Sequence, residues 1–473
     1  YLPVGISHRT RKEIFMQAEW KDAVFYHIYP LGAFGAPQEN DGTSRPEPRI
    51  DRLREWIPAM KRIGAEYLYL GPVFESERHG YDTVDYLTVD RRLGSNDDLK
   101  RVCSLLRENG ISVVPDAVFN HVGRRHPFVR DVAERGPSSP YARWIAGYSR
   151  VGPGRGGLPF TYEGWKGHYD LVKLDTANPE VREYLIGIAL SWIEDFGISG
   201  LRLDAADCLD RGFIRLLGDR CRSVCPSFFM LGEAVHGDLY DPLLELGGLD
   251  SVTNYEAWKG LWSSYNDKNY YEISWTLNRL FGEGGLVKGK TLYSFADNHD
   301  VDRVASLIRD NRGLYPLYAL LFSMPGIPSV YYGSEYAIVG KKGPGDDRPL
   351  RPEIIPDQLE TKGNGDLVNA IGRFSAARRG SAALRRGSYR SLVTESEGLA
   401  FLRAYGSERV VVALNAGLTH RSFRICESEL AGREMRDLLD GSYASRFDRA
   451  GCVVIDVPPH WTRWISVSLD SQI

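Results

Sequence analysis

The stretch "GLRLDAADC" (200–208) sets the reading of the whole chain. Leu201 and Leu203 alternate with Arg202 and Asp204, so a period of two makes it a strand with leucines on one face and charges on the other. A strand whose second face carries charges does not have an apolar core on both sides. Seven other short apolar runs end in polar residues and are followed by a helical pattern: 23–29, 65–74, 111–120, 228–233, 251–256, 292–298 and 328–335. Eight strand–helix units in succession predict a parallel sheet closed into a (β/α)8 barrel.

"NDDLKRVCSLLRENG" (96–110) and "NPEVREYLIGIALSWIEDFG" (178–197) fill helix slots, the first opening on an Asn/Asp cap and both closing on Gly. About eighty residues separate the third strand from the fourth. Of these, 122–172 are rich in Gly, Pro, Ser and aromatic residues, as expected of an irregular subdomain inserted over the barrel mouth. "GDLVNAIGRFSAARRGSAAL" (365–384) reads as the last helix of the barrel, which is assigned 1–121 and 173–385. From 386 to 473, the runs "LAFLRAY", "RVVVALNA", "GCVVIDV" and "RWISVSL" broken by turns predict a C-terminal antiparallel β-sandwich.

The 473 residues are 43% hydrophobic and 26% charged, an ordinary globular balance with a large core available. A net charge of -3 and no basic run leave no footprint for nucleic acid or an anionic membrane. No run reaches the roughly 18 apolar residues of a membrane span, residues 1–20 hold no apolar signal core, and a cytoplasmic location is expected. Cys103, Cys208, Cys221, Cys225, Cys426 and Cys452 lack C-x2-C spacing and are expected to be reduced thiols.

Barrel enzymes carry their reacting groups at the C-terminal ends of the strands. Here the third strand finishes at "DAVFNH" with His121, the fourth carries Arg202 and Asp204, the fifth ends at Glu233, and the seventh runs into "ADNHD" with His299 and Asp300. Any one carboxylate reads equally well as a helix cap or an ion-pair partner. Three around one mouth repel one another and shift each other's pKa, which packing does not require. Retaining glycoside hydrolysis uses such a pair, a nucleophile and a proton donor about 5 Å apart. Arg202 is expected to lower the pKa of Asp204, and a poorly solvated place to keep Glu233 protonated.

In order and spacing, "DAVFNH", "GLRLDAADC", "LGEAVHG" and "FADNHD" resemble the four signature segments of the α-amylase family, glycoside hydrolase family 13. "HGYDTVDY" (79–86) and "GIPSVYYGSE" (326–335) resemble two further segments, so the likeness spans 22 to about 352. It implies Asp204 as nucleophile, Glu233 as general acid/base and Asp300 as the group that holds substrate hydroxyls and favours a distorted ring. It also implies that His121 and His299 hydrogen-bond the sugar beside the cleaved bond, that Tyr81 stacks on it, and that Arg202, Asp82, Asp347 and Arg351 contribute to substrate binding. A lone Tyr or His would read as structural, and Asp347 with Arg351 reads equally as a salt-bridged loop.

"YDTVDY", "LGEAVHG" and Lys173 are similar to the cyclomaltodextrinase, neopullulanase and maltogenic amylase group, whose N-terminal β-domain has no counterpart in the short segment before the first strand here. Monomer and homodimer both stay open. Many amylases hold calcium between barrel and insertion through an Asn, an Asp and a carbonyl at a His. This chain keeps Asn120 but has Lys173 and Cys208 at the other two places, so no calcium and no other cofactor is expected. Ala205 resembles enzymes preferring α-1,4 links, whereas Asp82 leaves chain-end against mid-chain cleavage open.

The expected activity is retaining hydrolysis of α-1,4 bonds in maltooligosaccharides or cyclic dextrins. An α-glucosidase, or a transglycosylase or isomerase using the same ester, is the alternative. A metal-dependent barrel hydrolase with zinc on His121, His299 and Asp300 belongs to a different class, and the first strand offers it only His27 without a His-x-His pair. A catalytically dead binding subunit conflicts with three intact carboxylates.

Overall fold

Residues 19–469 are described by the computed structural model; 1–18, assigned above to the start of the barrel, and 470–473 lie outside the described residues. Eight parallel strands carry the alternation read in 200–205: β1 (Phe25–Ile28), β2 (Tyr67–Leu70), β3 (Ser112–Ala117), β4 (Gly200–Leu203), β5 (Phe229–Gly232), β6 (Ser251–Val252), β7 (Tyr293–Phe295) and β8 (Ile327–Tyr331). Their order in the sheet is β6-β5-β4-β3-β2-β1-β8-β7, and a parallel bridge from Thr253 to Tyr293 closes the ring. Phe25, Tyr67, Tyr69, Val114, Phe229 and Tyr293 fill the barrel, with the Phe25 and Tyr67 rings stacked at 4.9 Å. Residues one position out of phase, among them Tyr26, Leu68, Leu201, Leu203 and Met230, pack under the helices. Arg202 takes an inward slot and lies 5.7 Å from the Tyr69 ring centroid.

The helix Asn96–Glu108 is capped by Ser95 and not by the Asn/Asp that follows. Ser95 and Asp98 form a reciprocal capping box, while Asn96 binds back to Val89 N–H and the Leu87 carbonyl. Helix Pro179–Phe196 starts at the Asn178 cap and stops at Gly197, whose φ of 64° suits glycine. The stretch read as one helix over 365–384 is two, Gly365–Gly380 and Ala382–Arg386. Ser381 breaks it, because its hydroxyl accepts from Leu384 N–H and caps the second helix.

In the insertion, His121–Gly123 pairs antiparallel with His168–Lys173, which in turn pairs with Gly164–Trp165. The inserted segment is thereby fastened to the chain leaving β3. The C-terminal part is antiparallel throughout, a six-stranded sheet facing the two-stranded ribbon Arg421–Cys426 and Cys452–Val457 across a shared apolar core. Within that ribbon Cys426 lies directly opposite Cys452, and the two form a disulfide. This corrects the expectation of six reduced thiols, which holds for Cys103, Cys208, Cys221 and Cys225 alone. Among the described residues no helix is long and apolar enough to cross a membrane.

Just beyond β8, Glu335 is fully buried; Tyr26 donates its hydroxyl proton to one carboxylate oxygen at 2.5 Å, and the other oxygen has no partner. Burial pushes this carboxyl up to about 7. A raised pKa means the folded protein binds a proton that the unfolded chain has released, so stability falls as pH rises from about 4 through 7. Glu335→Gln is expected to flatten that dependence and to stand above the wild type at pH 8. Urea midpoints measured at intervals across that range test it; parallel curves for the two proteins would contradict it.

Candidate active site

The carboxyl ends of the barrel strands open into a cavity of about 1120 Å³. At its floor Arg202 serves three carboxylates. Register places it beside Asp116 on β3, so its Nη1 donates to Asp116 Oδ1 and to Asp204 Oδ1, both at 2.8 Å, while Nη2 sits 2.9 Å from Glu233 Oε1. Asp116 also accepts from the hydroxyls of Tyr69 at 2.7 Å and Tyr81 at 3.0 Å.

Ala205, directly after Asp204, has φ 45° and ψ 45°, a left-handed conformation that costs a residue with a Cβ roughly 1–2 kcal/mol. The turn aims the Ala205 N–H at Glu233 Oε2, 3.0 Å away. Both oxygens of Glu233 are thus held, one by Arg202 and one by the backbone following Asp204. The expectation that Arg202 lowers the pKa of Asp204 is corrected in its sum. Burial raises it, Arg202 pulls it down, and Glu233 and Asp116 push it up again, leaving it well above the usual carboxylate range. One guanidinium shared three ways does not outweigh desolvation and two like charges.

On the opposite wall Tyr81 and His299 stack with ring centroids 5.5 Å apart. His299 Nε2 lies 2.5 Å from the Tyr81 hydroxyl and 3.1 Å from Asp300 Oδ2. Arg351 donates to Asp300 Oδ1 at 3.1 Å and to the His299 carbonyl at 2.9 Å, and its guanidinium covers the Tyr29 ring. Burial alone would raise Asp300, but His299, Arg351 and Arg202 together hold it well below the usual carboxylate range. His121 is pushed down to about 3 by burial and then by His79; its Nε2 has no hydrogen-bond partner and faces Asp204 Oδ2 at 3.9 Å.

Asp347 lines the cavity and pairs with Lys342 at 2.9 Å and Arg351 at 3.4 Å. Asp82 does not line it. Its buried carboxylate accepts from His79 N–H at 3.2 Å and lies 3.5 Å from Arg78, so it braces the loop beneath Tyr81. Asp116, Tyr255 and Asn298, to which the motifs alone assign no role, also belong to the site. Asn298 Nδ2 donates to the Tyr255 hydroxyl at 2.9 Å while its Oδ1 accepts from Asp300 N–H at 2.8 Å. A signal existed for Asp116, a lone carboxylate inside "SVVPDA", but its partner is set by strand register.

At the junction of barrel and insertion, Lys173 pairs in register with His121 and binds Glu163 at 3.1 Å. Asn120 gives its Nδ2 to His121 Nδ1, and burial raises the nearby Cys208 thiol to about 11. One amide oxygen, a protonated thiol and an ammonium do not make an oxygen cage for a hard cation. Among the described residues no three His, Cys, Asp or Glu side chains are grouped to hold a metal ion.

A carboxylate pair braced by one arginine, at the C-terminal mouth of a (β/α)8 barrel, defines the class as a barrel glycoside hydrolase. The family description "Alpha amylase, catalytic domain" matches residues 52–379, and the chain belongs to that family, glycoside hydrolase family 13. A Bacillus sp. cyclomaltodextrinase is 29% identical over 85% of this chain and 74% of its own length. An intracellular maltogenic amylase of Bacillus subtilis is 28% identical over 78% of this chain and 63% of that protein. Among solved structures, the ligand-free cyclic α-maltosyl-(1→6)-maltose hydrolase of Arthrobacter globiformis superposes with a TM-score of 0.78 at 26% identity, covering 95% of this chain and 99% of that one.

Proposed function

We propose that the protein hydrolyses α-1,4-glucosidic bonds in maltooligosaccharides or cyclic dextrins with retention of configuration. The observation that carries this is the Arg202 bridge, which sets Asp204 and Glu233 side by side at the floor of an open cavity. Cyclic substrates enter the proposal through the names of the relatives. In the first step Asp204 attacks the anomeric carbon and the bond to the leaving oxygen breaks, while Glu233 gives that oxygen its proton. In the second, Glu233 takes a proton from water, whose oxygen attacks the same carbon and releases Asp204. Asp300, Arg351 and the neutral His121 hold the sugar's hydroxyls, and Tyr81 faces its ring.

Before attack Asp204 must be ionised and Glu233 protonated. The junction geometry supports a calcium-free enzyme, in which Lys173 provides the positive charge. We place the protein in the cytoplasm on the name of the Bacillus subtilis relative. Cys426–Cys452 is a bond of the kind oxidising compartments keep, so finding it formed in protein trapped from living cells would move the protein elsewhere.

The test offers maltoheptaose, β-cyclodextrin, pullulan, maltose and cyclic α-maltosyl-(1→6)-maltose in parallel, with and without EDTA. Short maltooligosaccharides released first as α-anomers, at rates and melting temperatures that EDTA leaves alone, are expected. Initial β-anomers or no cleavage would overturn the proposal, and longer or rearranged products would reassign the enzyme to transfer.

A further inference from the structure

The hairpin between Gly164–Trp165 and His168–Lys173 turns through Lys166 and Gly167 alone, with Trp165 paired to His168 across it. Both turn residues have positive φ, 45° for Lys166 and 89° for Gly167, as a type I′ turn requires. Asn, Asp or Gly takes the first of these positions readily, whereas a lysine is strained there. Nothing in the turn itself calls for a lysine. Its side chain, in contrast, reaches the active site. The ammonium sits 5.2 Å from the centroid of Trp165, makes no ion pair with another described residue, and lines the cavity with Trp165, Asp207 and Val235.

The position of Lys166 along the cleft follows from its neighbours. Asp207 and Cys208 lie in the turn after Asp204, and Asp207 lines the cavity together with Lys166. Ala205, in the same turn, contacts Glu233. Lys166 shares the cavity lining with Asp207 and Val235, which follow Asp204 by three residues and Glu233 by two, while Trp165 at the base of the turn lies 5.9 Å from the His121 ring. The tip thus overhangs the rim at the ends of β4 and β5, and Tyr81, His299, Asp300 and Arg351 form the other wall. A proton donor faces the leaving oxygen, so the departing sugar occupies the side that Glu233 and Lys166 share. An ammonium offers three donors and no acceptor, which suits the hydroxyl oxygens of a glucose unit.

Building on the α-glucan reading, we infer that Lys166 is a specificity-determining residue that donates hydrogen bonds to the sugar on the leaving-group side of the cleaved bond. It favours leaving groups that carry hydroxyls over those that do not.

The test compares wild type with Lys166→Asn and Lys166→Arg on maltotetraose and on 4-nitrophenyl α-maltoside, whose leaving group has no sugar hydroxyls. Asn-Gly is the pair this turn prefers, so Lys166→Asn is expected to melt no lower than wild type. Its kcat/KM on maltotetraose falls about tenfold, the lower range for a charge-assisted hydrogen bond, and the loss exceeds that on the aryl maltoside at least fivefold. Lys166→Arg recovers most of the difference. Equal losses on both substrates, no loss, or a lowered melting temperature accompanying the loss would overturn the inference. A wild type that cleaves neither substrate overturns the α-glucan reading, and this inference with it.

Discussion

Asp204→Asn and Glu233→Gln each reduce turnover of maltoheptaose by about 10⁴-fold or more, and they do so in distinguishable ways. Asn at 204 has no charge with which to form the glycosyl ester, so the loss is the same whatever the leaving group. Gln at 233 cannot protonate the leaving oxygen, but 4-nitrophenolate departs without a proton. Glu233→Gln therefore keeps much of its first step on the aryl maltoside and stalls at the ester for want of a base. Azide, which attacks without surrendering a proton, discharges that ester and restores turnover, with the α-glycosyl azide as product. The melting temperatures separate a chemical from a structural effect. The pKa of Asp204 is raised in the folded protein, so its ionised form is disfavoured there and folding is weakened as pH rises through that value. Removing the charge is expected to leave Asp204→Asn at least as stable as wild type at pH 8. Residual aryl maltoside cleavage by Asp204→Asn, or an α-configured glycosyl azide formed by that variant, would refute the assignment of roles.

The parts of this site that were legible in the sequence are those fixed by strand period. Arg202 and Asp204 had to share a face opposite Leu201 and Leu203, and ending strands at Glu233 and Asp300 put three carboxylates at one rim. What the sequence withheld depends on partners far along the chain. Asp116 becomes a ligand of Arg202 through the register of β3 and β4, and Cys426 meets Cys452 through an antiparallel pairing that no short spacing announces. Arg202 does pull the Asp204 pKa down, as its place on the same strand face implies, but burial first and then Glu233 and Asp116, which compete for the same cation, carry the sum the other way. Asp82 stands beside Tyr81 in the motif, but only the turn decides where its carboxylate points, which is into the loop, toward His79 N–H and Arg78. Ser381 looks like one more helical position, because a serine inside an otherwise helical pattern declares itself a cap only when its hydroxyl finds a free N–H.

Arg202→Leu is expected to be the most damaging single substitution in stability as well as in rate. The guanidinium is buried and its partners Asp116 and Asp204 are nearly so, with side-chain exposures of 0% and 10%. Deleting the cation leaves buried carboxylates without a counter-charge, and breaking a buried pair from one side costs about 3–5 kcal/mol. Asp204, which burial already holds above the usual carboxylate range, loses the one group that pulls it down, so its folded pKa rises further and the loss grows with pH. Urea midpoints for Arg202→Leu should accordingly fall below wild type most at pH 8 and recover part of the gap at pH 5. Arg202→Lys keeps one positive charge but not the fork that reaches Asp116, Asp204 and Glu233 together. It is expected to retain more of the stability than Arg202→Leu and still lose at least about 100-fold in kcat, because a point charge no longer fixes both reacting carboxylates. Adding Asp116→Asn to Arg202→Leu removes one of the stranded charges and should regain stability without regaining turnover. If Arg202→Leu unfolds at the wild-type midpoint at pH 8, the three carboxylates do not depend on this cation, and the electrostatic account of the site fails at its centre.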